Sequence, residues 1–148
     1  MQETKEGIIC QAIPYWILQC TWGGIQTLAG LALFLKHRHC PHRCFRGALH
    51  TGWDSRGGIS LGMFIFTPEL KGQEGEKLLV HEYGHTFQSL FLGPLYFLVI
   101  GIPSIIWCRA GYFRRLRARK GLPYAAFYTE RLADWLGEKV TGMESDGG

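Results

Sequence analysis

Charge is scarce in this chain. Only 19% of its 148 residues are charged, where about a quarter is usual. No charged residue occurs from Ile8 to Leu35, and aspartate appears only as Asp54, Asp134 and Asp146. The five cysteines, Cys10, Cys20, Cys40, Cys44 and Cys108, are odd in number and lack a tight framework. That argues against a disulfide-stapled secreted scaffold and for reduced thiols. A length of 148 residues fits one compact domain, and 47% hydrophobic residues supply ample core material.

The uncharged stretch is far longer than the apolar region of a signal peptide, and its flank, Met1–Gly7, carries two Glu and one Lys. With Pro14 in a first turn, the run to Leu35 would measure about 33 Å as a helix, against a hydrocarbon core of about 30 Å. One transmembrane helix is therefore expected. The other reading is a buried or interfacial hairpin broken at Gly23–Gly24. Lys36, Arg38, Arg43 and Arg46 follow at once. The positive-inside tendency then predicts a single-pass membrane protein with the N-terminus outside and the following domain cytoplasmic.

The formal net charge is +4. The surplus sits in that cluster and in a second one, Arg109, Arg114, Arg115, Arg117, Arg119 and Lys120. No stacking aromatics interleave the basic residues, so membrane lipid is the expected partner and nucleic acid is not. KHRHCPHRC also offers His37, His39, Cys40, His42 and Cys44 as ligands for a second metal. No further ligand pair lies at a finger-like distance, so a basic patch beside the membrane is the preferred reading.

Beyond residue 46 the pattern changes. Ala48–Trp53 and Ile59–Phe66 are short β-prone runs around Asp54-Ser55-Arg56-Gly57-Gly58, which predicts a β-hairpin. Residues 72–92 read as a helix, with Glu74 and Glu76 at its start and Gly93-Pro94 as its stop. The apolar run 90–107 contains Gly93, Pro94, Gly101 and Pro103, which favours an irregular, re-entrant or interfacial segment. A crossing there would put His85 and Glu130 on opposite sides. Residues 124–140 read as a last helix and 143–148 as a disordered tail. The expected domains are thus a membrane segment at 1–46, a folded unit at 47–142 and the tail.

The chemistry lies in HEYGH, residues 81–85. Helical positions four apart share a face, so His81 and His85 can reach one ion. Glu82 is placed to take a proton from a metal-bound water, the role of the glutamate in HExxH. Gly84 costs about 1 kcal/mol in helix propensity and is expected to keep the surface near the metal open. ERLAD, residues 130–134, adds Glu130 as a third ligand. Asp134, one turn later, can accept the N–H of a metal-bound histidine.

HEYGH followed by ERLAD resembles the HExxH…ExxAD signature of gluzincin zinc metallopeptidases. In style it is similar to compact membrane-linked members, such as the prenyl-protein, heat-shock membrane and penicillin-sensor peptidases. It also looks like small uncharacterised bacterial membrane proteins and some toxin-associated domains with a peptidase role. The resemblance covers roughly residues 47–140. It implies an α+β, minimal zincin-like fold: a β-hairpin or small sheet, the HExxH helix and a glutamate-bearing helix. It implies one Zn²⁺ ion, endopeptidase activity on a peptide or protein substrate, His81, His85 and Glu130 as ligands, Glu82 as general base and Asp134 behind a ligand. For the residue that steadies the oxyanion, Tyr124, Tyr128 and Arg131 are the candidates. The strand Ile59–Phe66 is expected to receive an extended substrate by β-augmentation near His81. Two alternatives stay open. One is a non-catalytic, zinc-stabilised membrane adaptor. The other is an intramembrane protease of site-2 type, which takes an aspartate ligand from a later apolar helix.

Overall fold

Among the described residues, a four-stranded mixed sheet and six α-helices make up the fold, which is α+β. The computed structural model describes residues 5–69 and 72–145, with side chains from residue 13 onward. The elements are α1 (Lys5–Thr21), α2 (Gly24–Lys36), β1 (His42–Phe45), β2 (Ala48–Trp53), β3 (Ile59–Leu61), β4 (Phe64–Pro68), α3 (Gln73–Leu92), α4 (Ile102–Arg109), α5 (Gly111–Lys120) and α6 (Tyr128–Thr141). Between α3 and α4 the chain passes through a 3-10 turn, Gly93–Leu95, and a π-helical turn, Phe97–Gly101.

The sheet order is β1-β2-β4-β3. β1 and β2 form a hairpin closed by Arg46 and Gly47, both at positive φ. That two-residue turn matches the strand twist. Arg46 is held there by Tyr83, whose hydroxyl donates to its carbonyl at 2.9 Å, and its guanidinium donates to Thr141 O at 3.0 Å. The hairpin expected from 48–53 and 59–66 is corrected. Gly62, at φ 60°, breaks the second run into β3 and β4, which pair antiparallel. β4 instead runs parallel to β2. The turn reverses the chain, so the loop after β2 must carry it past β4 to the far edge.

The single spanning helix expected for residues 14–35 is also corrected. Pro14 lies inside α1 rather than at its start, and α1 and α2 meet at a bend of 97°. No single helix among the described residues is long and apolar enough to cross a membrane. Polar side chains fasten both arms of the bend. Gln19 and Gln26 are fully buried, donating to the carbonyls of Thr86 in α3 and of Gly93 in the turn after it. Tyr15 joins Ala48, Ile65, Leu79 and Tyr83 in the core, and Trp16 donates to Gly47 O at 2.7 Å. The apolar segment thus docks on the rest of the fold.

All four residues of the first basic cluster are exposed, but two also bond within the fold: Arg43 donates to His50 Nδ1 at 3.0 Å and Arg46 sits in the hairpin. At the other end, Ser145 is buried and bonded to Glu138 through both its amide and its hydroxyl. The expected tail is therefore ordered as far as Ser145, and residues 146–148 lie outside the described ones.

α3 and α6 approach closely through two glycines. A Cβ on Gly84 would come within 1.8 Å of Ala133 O, and one on Gly137 within 2.2 Å of Val80 O. Gly84 thus serves helix contact rather than the open surface expected of it. Its propensity cost is the condition for bringing Glu130 and Asp134 of α6 to His81 and His85 of α3.

Candidate metal centre

α3 and α6 each present two functional side chains one turn apart. His81 and His85 lie with ring centroids 4.8 Å apart at 87°. Glu130 and Asp134 occupy the buried face of α6. Because a carboxylate only accepts, the 2.7 Å contact between His81 Nδ1 and Asp134 Oδ1 puts the proton on Nδ1. Nε2 is then free to ligate. His85 is set the same way: its Nδ1 lies 2.6 Å from Gln88 Oε1, and Gln88 Nε2 donates to Thr129 O at 2.8 Å. Thr129 in turn donates to Glu130 Oε1 at 2.9 Å. That chain of bonds ties α3 to α6 and leaves Glu130 Oε2 facing both imidazoles.

The three facing atoms have the spacing of a metal site. Glu130 Oε2 is 3.2 Å from His81 Nε2 and 3.5 Å from His85 Nε2. A tetrahedron with bonds of about 2.0–2.1 Å has edges of about 3.3 Å. A direct charge-assisted hydrogen bond would be shorter, about 2.7–2.9 Å. All three atoms lie within 4.8 Å of one another, and this is the only such group of metal-binding side chains among the described residues. His37, His39, Cys40, His42 and Cys44 form none.

Charge balance agrees. Glu82, Glu130 and Asp134 are all buried, and among the described residues no lysine or arginine pairs with them. Asp134 Oδ2 has no hydrogen-bond partner at all. Three buried carboxylates need compensation, which a divalent cation on the imidazoles would supply. The residues therefore fit a metal ion. Their own protons show the same demand. Burial pulls His81 down, but the bond to Asp134 and the facing Glu130 and Glu82 carboxylates push it up to about 10. Burial raises Glu130, but the two imidazoles facing it hold it well below the usual carboxylate range.

Glu82 lies beside the cluster without belonging to it. Ser60 Oγ on β3 is 2.7 Å from Glu82 Oε2 and 2.7 Å from the Glu82 carbonyl. Gly58 leaves room for the carboxylate, since a Cβ there would sit 2.1 Å from Oε1. β3, an edge strand, therefore lies against the HExxH residues, although α2 packs on its Leu61 end at Gly30.

The segment after α3 folds back over the site. Ser104 on α4 adds to the influences that hold Glu130 low, and buried Tyr96 feels the charges of Glu82 and Glu130. The Tyr124 ring is 6.4 Å from that of His81. It is held by Trp107, which donates to Tyr124 O at 2.9 Å, and by the Arg117 guanidinium 5.4 Å above its ring. Burial and the Glu130 charge push the Tyr124 phenol up, so at neutral pH it is a proton donor. Tyr128 points elsewhere, donating to Val99 O at 2.6 Å, and Arg131 is on the exposed face of α6. Of the three oxyanion candidates, only Tyr124 is brought to the site.

Sequence reasoning missed Gln88, Thr129, Ser60, Ser104 and Tyr96. Gln88 had a signal, its position three residues after His85 on the same helix face. Ser60 and Ser104 had none, because they arrive from separate elements. Compared with protein-family models, curated proteins and solved structures, the chain matches none.

Proposed function

We propose that this chain is a zinc-dependent metallopeptidase of gluzincin type, with His81, His85 and Glu130 holding the ion. The observation that carries the reading is Glu130 Oε2 at tetrahedral-edge distance from both Nε2 atoms, with the Glu82 carboxylate, held by Ser60, beside them. A His2Glu set is a catalytic rather than a closed structural arrangement, since it leaves a fourth position for water. Bound zinc supplies Lewis acidity and a water of pKa near 7.

The protein's part follows from its residues. Glu82 takes the proton from the water and returns it to the leaving amine. Ser60 orients Glu82. Asp134 and Gln88 hold the two imidazoles in the ligating tautomer. Tyr124 donates to the carbonyl oxygen as negative charge develops there. An extended peptide pairs with the free part of β3 at Ile59–Ser60, which brings its backbone beside Glu82.

The test combines metal analysis with cleavage of a peptide library. Wild type should hold one zinc per chain and cut. Glu82→Gln should keep the metal and lose about 10²–10⁴-fold in rate, the usual worth of a general base. Zinc bound without any cleavage would favour the adaptor reading. Cleavage that survives Glu82→Gln would overturn the mechanism.

A further inference from the structure

Two apolar segments of this chain are built inside out. On α2, Gln26 and Gly30 face the protein, while Ile25, Leu28 and Leu35 are exposed, at 57%, 68% and 58%. Residues 95–106 repeat the pattern. Tyr96 and Ile100 face inward, while Leu95, Leu98, Ile102 and Ile105 recur at helical spacing on the outside, each about half exposed or more. Single exposed apolar residues are ordinary, but a continuous apolar face marks an interaction surface.

The two faces belong together. The α1–α2 bend of 97° and the bend of 119° after α3 are in contact. Gln26 donates to Gly93 O, and the Trp22 ring lies so close to Gly93 that a Cβ there would sit 2.3 Å from it. Each apolar segment ends in exposed cations: Lys36 at the end of α2 and Arg38 beyond it, and Arg109 at the end of α4 with Arg114, Arg115 and Arg119 in α5. None of these has a carboxylate partner among the described residues.

We infer that the paired bends embed in one leaflet of an anionic bilayer, with the basic residues at the head groups and with α1 and α6 on the same side. Charge selects lipid over a second copy of the chain, because self-association would bring two cationic rims together. Length agrees: α2 has 13 residues, about 20 Å, whereas the hydrocarbon core is about 30 Å. The segment that meets lipid on its outer side covers the metal centre with Tyr96 and Ser104 on its inner side, so the centre lies about one helix diameter, roughly 10 Å, from the bilayer. This inference does not depend on peptidase activity.

The test uses the full chain, purified in detergent and diluted into vesicles, with a tag ahead of α1 and another after α6. It should float with vesicles of 30% phosphatidylglycerol in phosphatidylcholine, and at least tenfold less with phosphatidylcholine alone or in high salt. Leu98→Glu with Ile105→Glu should lower flotation at least tenfold. Arg114→Glu with Arg115→Glu, on an exposed helix, should remove the preference for anionic lipid at unchanged thermal stability. Protease added to sealed vesicles should remove both tags together. Protection of one tag alone would establish a crossing and overturn the inference. So would flotation indifferent to both double variants, or a lipid-free dimer that does not float.

Discussion

The helix pairs α3–α6 and α1–α2 both bury polar side chains, with opposite results. In α3–α6 the polar groups meet one another: His81 with Asp134, His85 with Gln88, and both imidazoles with Glu130. In α1–α2 they meet the backbone of α3 and of the turn after it, and Gln19 Oε1 and Gln26 Oε1 are left without partners. The first pair makes a site, the second an anchor. The difference is one of approach. Gly84 and Gly137 let α3 and α6 come into backbone contact, so short side chains can converge on a point. At the α1–α2 bend the contacts are to side chains: a Cβ on Gly23 would meet Gln19 Oε1 at 2.7 Å, Thr27 Oγ1 donates to Gln19 O, and Gly24 has nothing within 4 Å of where a Cβ would lie.

The largest effect should therefore come from closing that gap. Gly84→Ala puts a methyl against Ala133 O and should cost about 3 kcal/mol, at the upper end for overpacking. Urea denaturation would show it, and metal binding should weaken in parallel. A variant of wild-type stability would mean that backbone contact is not what brings the helices together.

Next comes the support of the ligands. Asp134→Asn should keep the fold but lower metal affinity 10–100-fold, the usual worth of such a partner. Competition with a chelating indicator measures it. Gln26→Leu, in the other pair, should leave affinity unchanged, and equal losses would erase the distinction between site and anchor.

A third outcome concerns His50, a buried histidine outside both pairs. Burial, then Arg43 and His42, lower it from 6.5 to about 4, and its Nε2 lies 2.7 Å from Thr67 Oγ1. Between these pH values the unfolded chain takes a proton that the folded one refuses. Stability should fall by about 2 kcal/mol as pH drops from 6.5 and level off below about 4. Denaturation midpoints across that range should flatten in His50→Gln. The smallest effect belongs to Gly24→Ala, which should be neutral or stabilise by up to about 0.5 kcal/mol in thermal melts, because a methyl meets nothing there.

How much was legible depends on range. The helix over 72–92 could be read from its acidic start and its Gly93-Pro94 stop, and it is α3. The irregularity of 90–107 followed from its glycines and prolines. The β1–β2 hairpin was hidden because its strand and turn, HRCF and Arg46-Gly47, read as a basic flank. The bend at Gly23–Gly24 was an available reading but not the preferred one, since hydropathy averages over Gln19 and Gln26 and does not show where their amides must bond.

By itself the sequence determined the pairings within each helix. His81 and His85 share a face, as do Glu130 and Asp134, because an α-helix is rigid over one turn and four residues return to the same side. The tertiary structure alone decided that these two faces meet, at a separation set by Gly84 and Gly137. It decided that Ser60 reaches Glu82, that β4 lies parallel to β2, and that two apolar runs bend side by side rather than extend. Those outcomes depend on which surfaces bury against each other, and burial is a property of contacts between segments that no local spacing encodes.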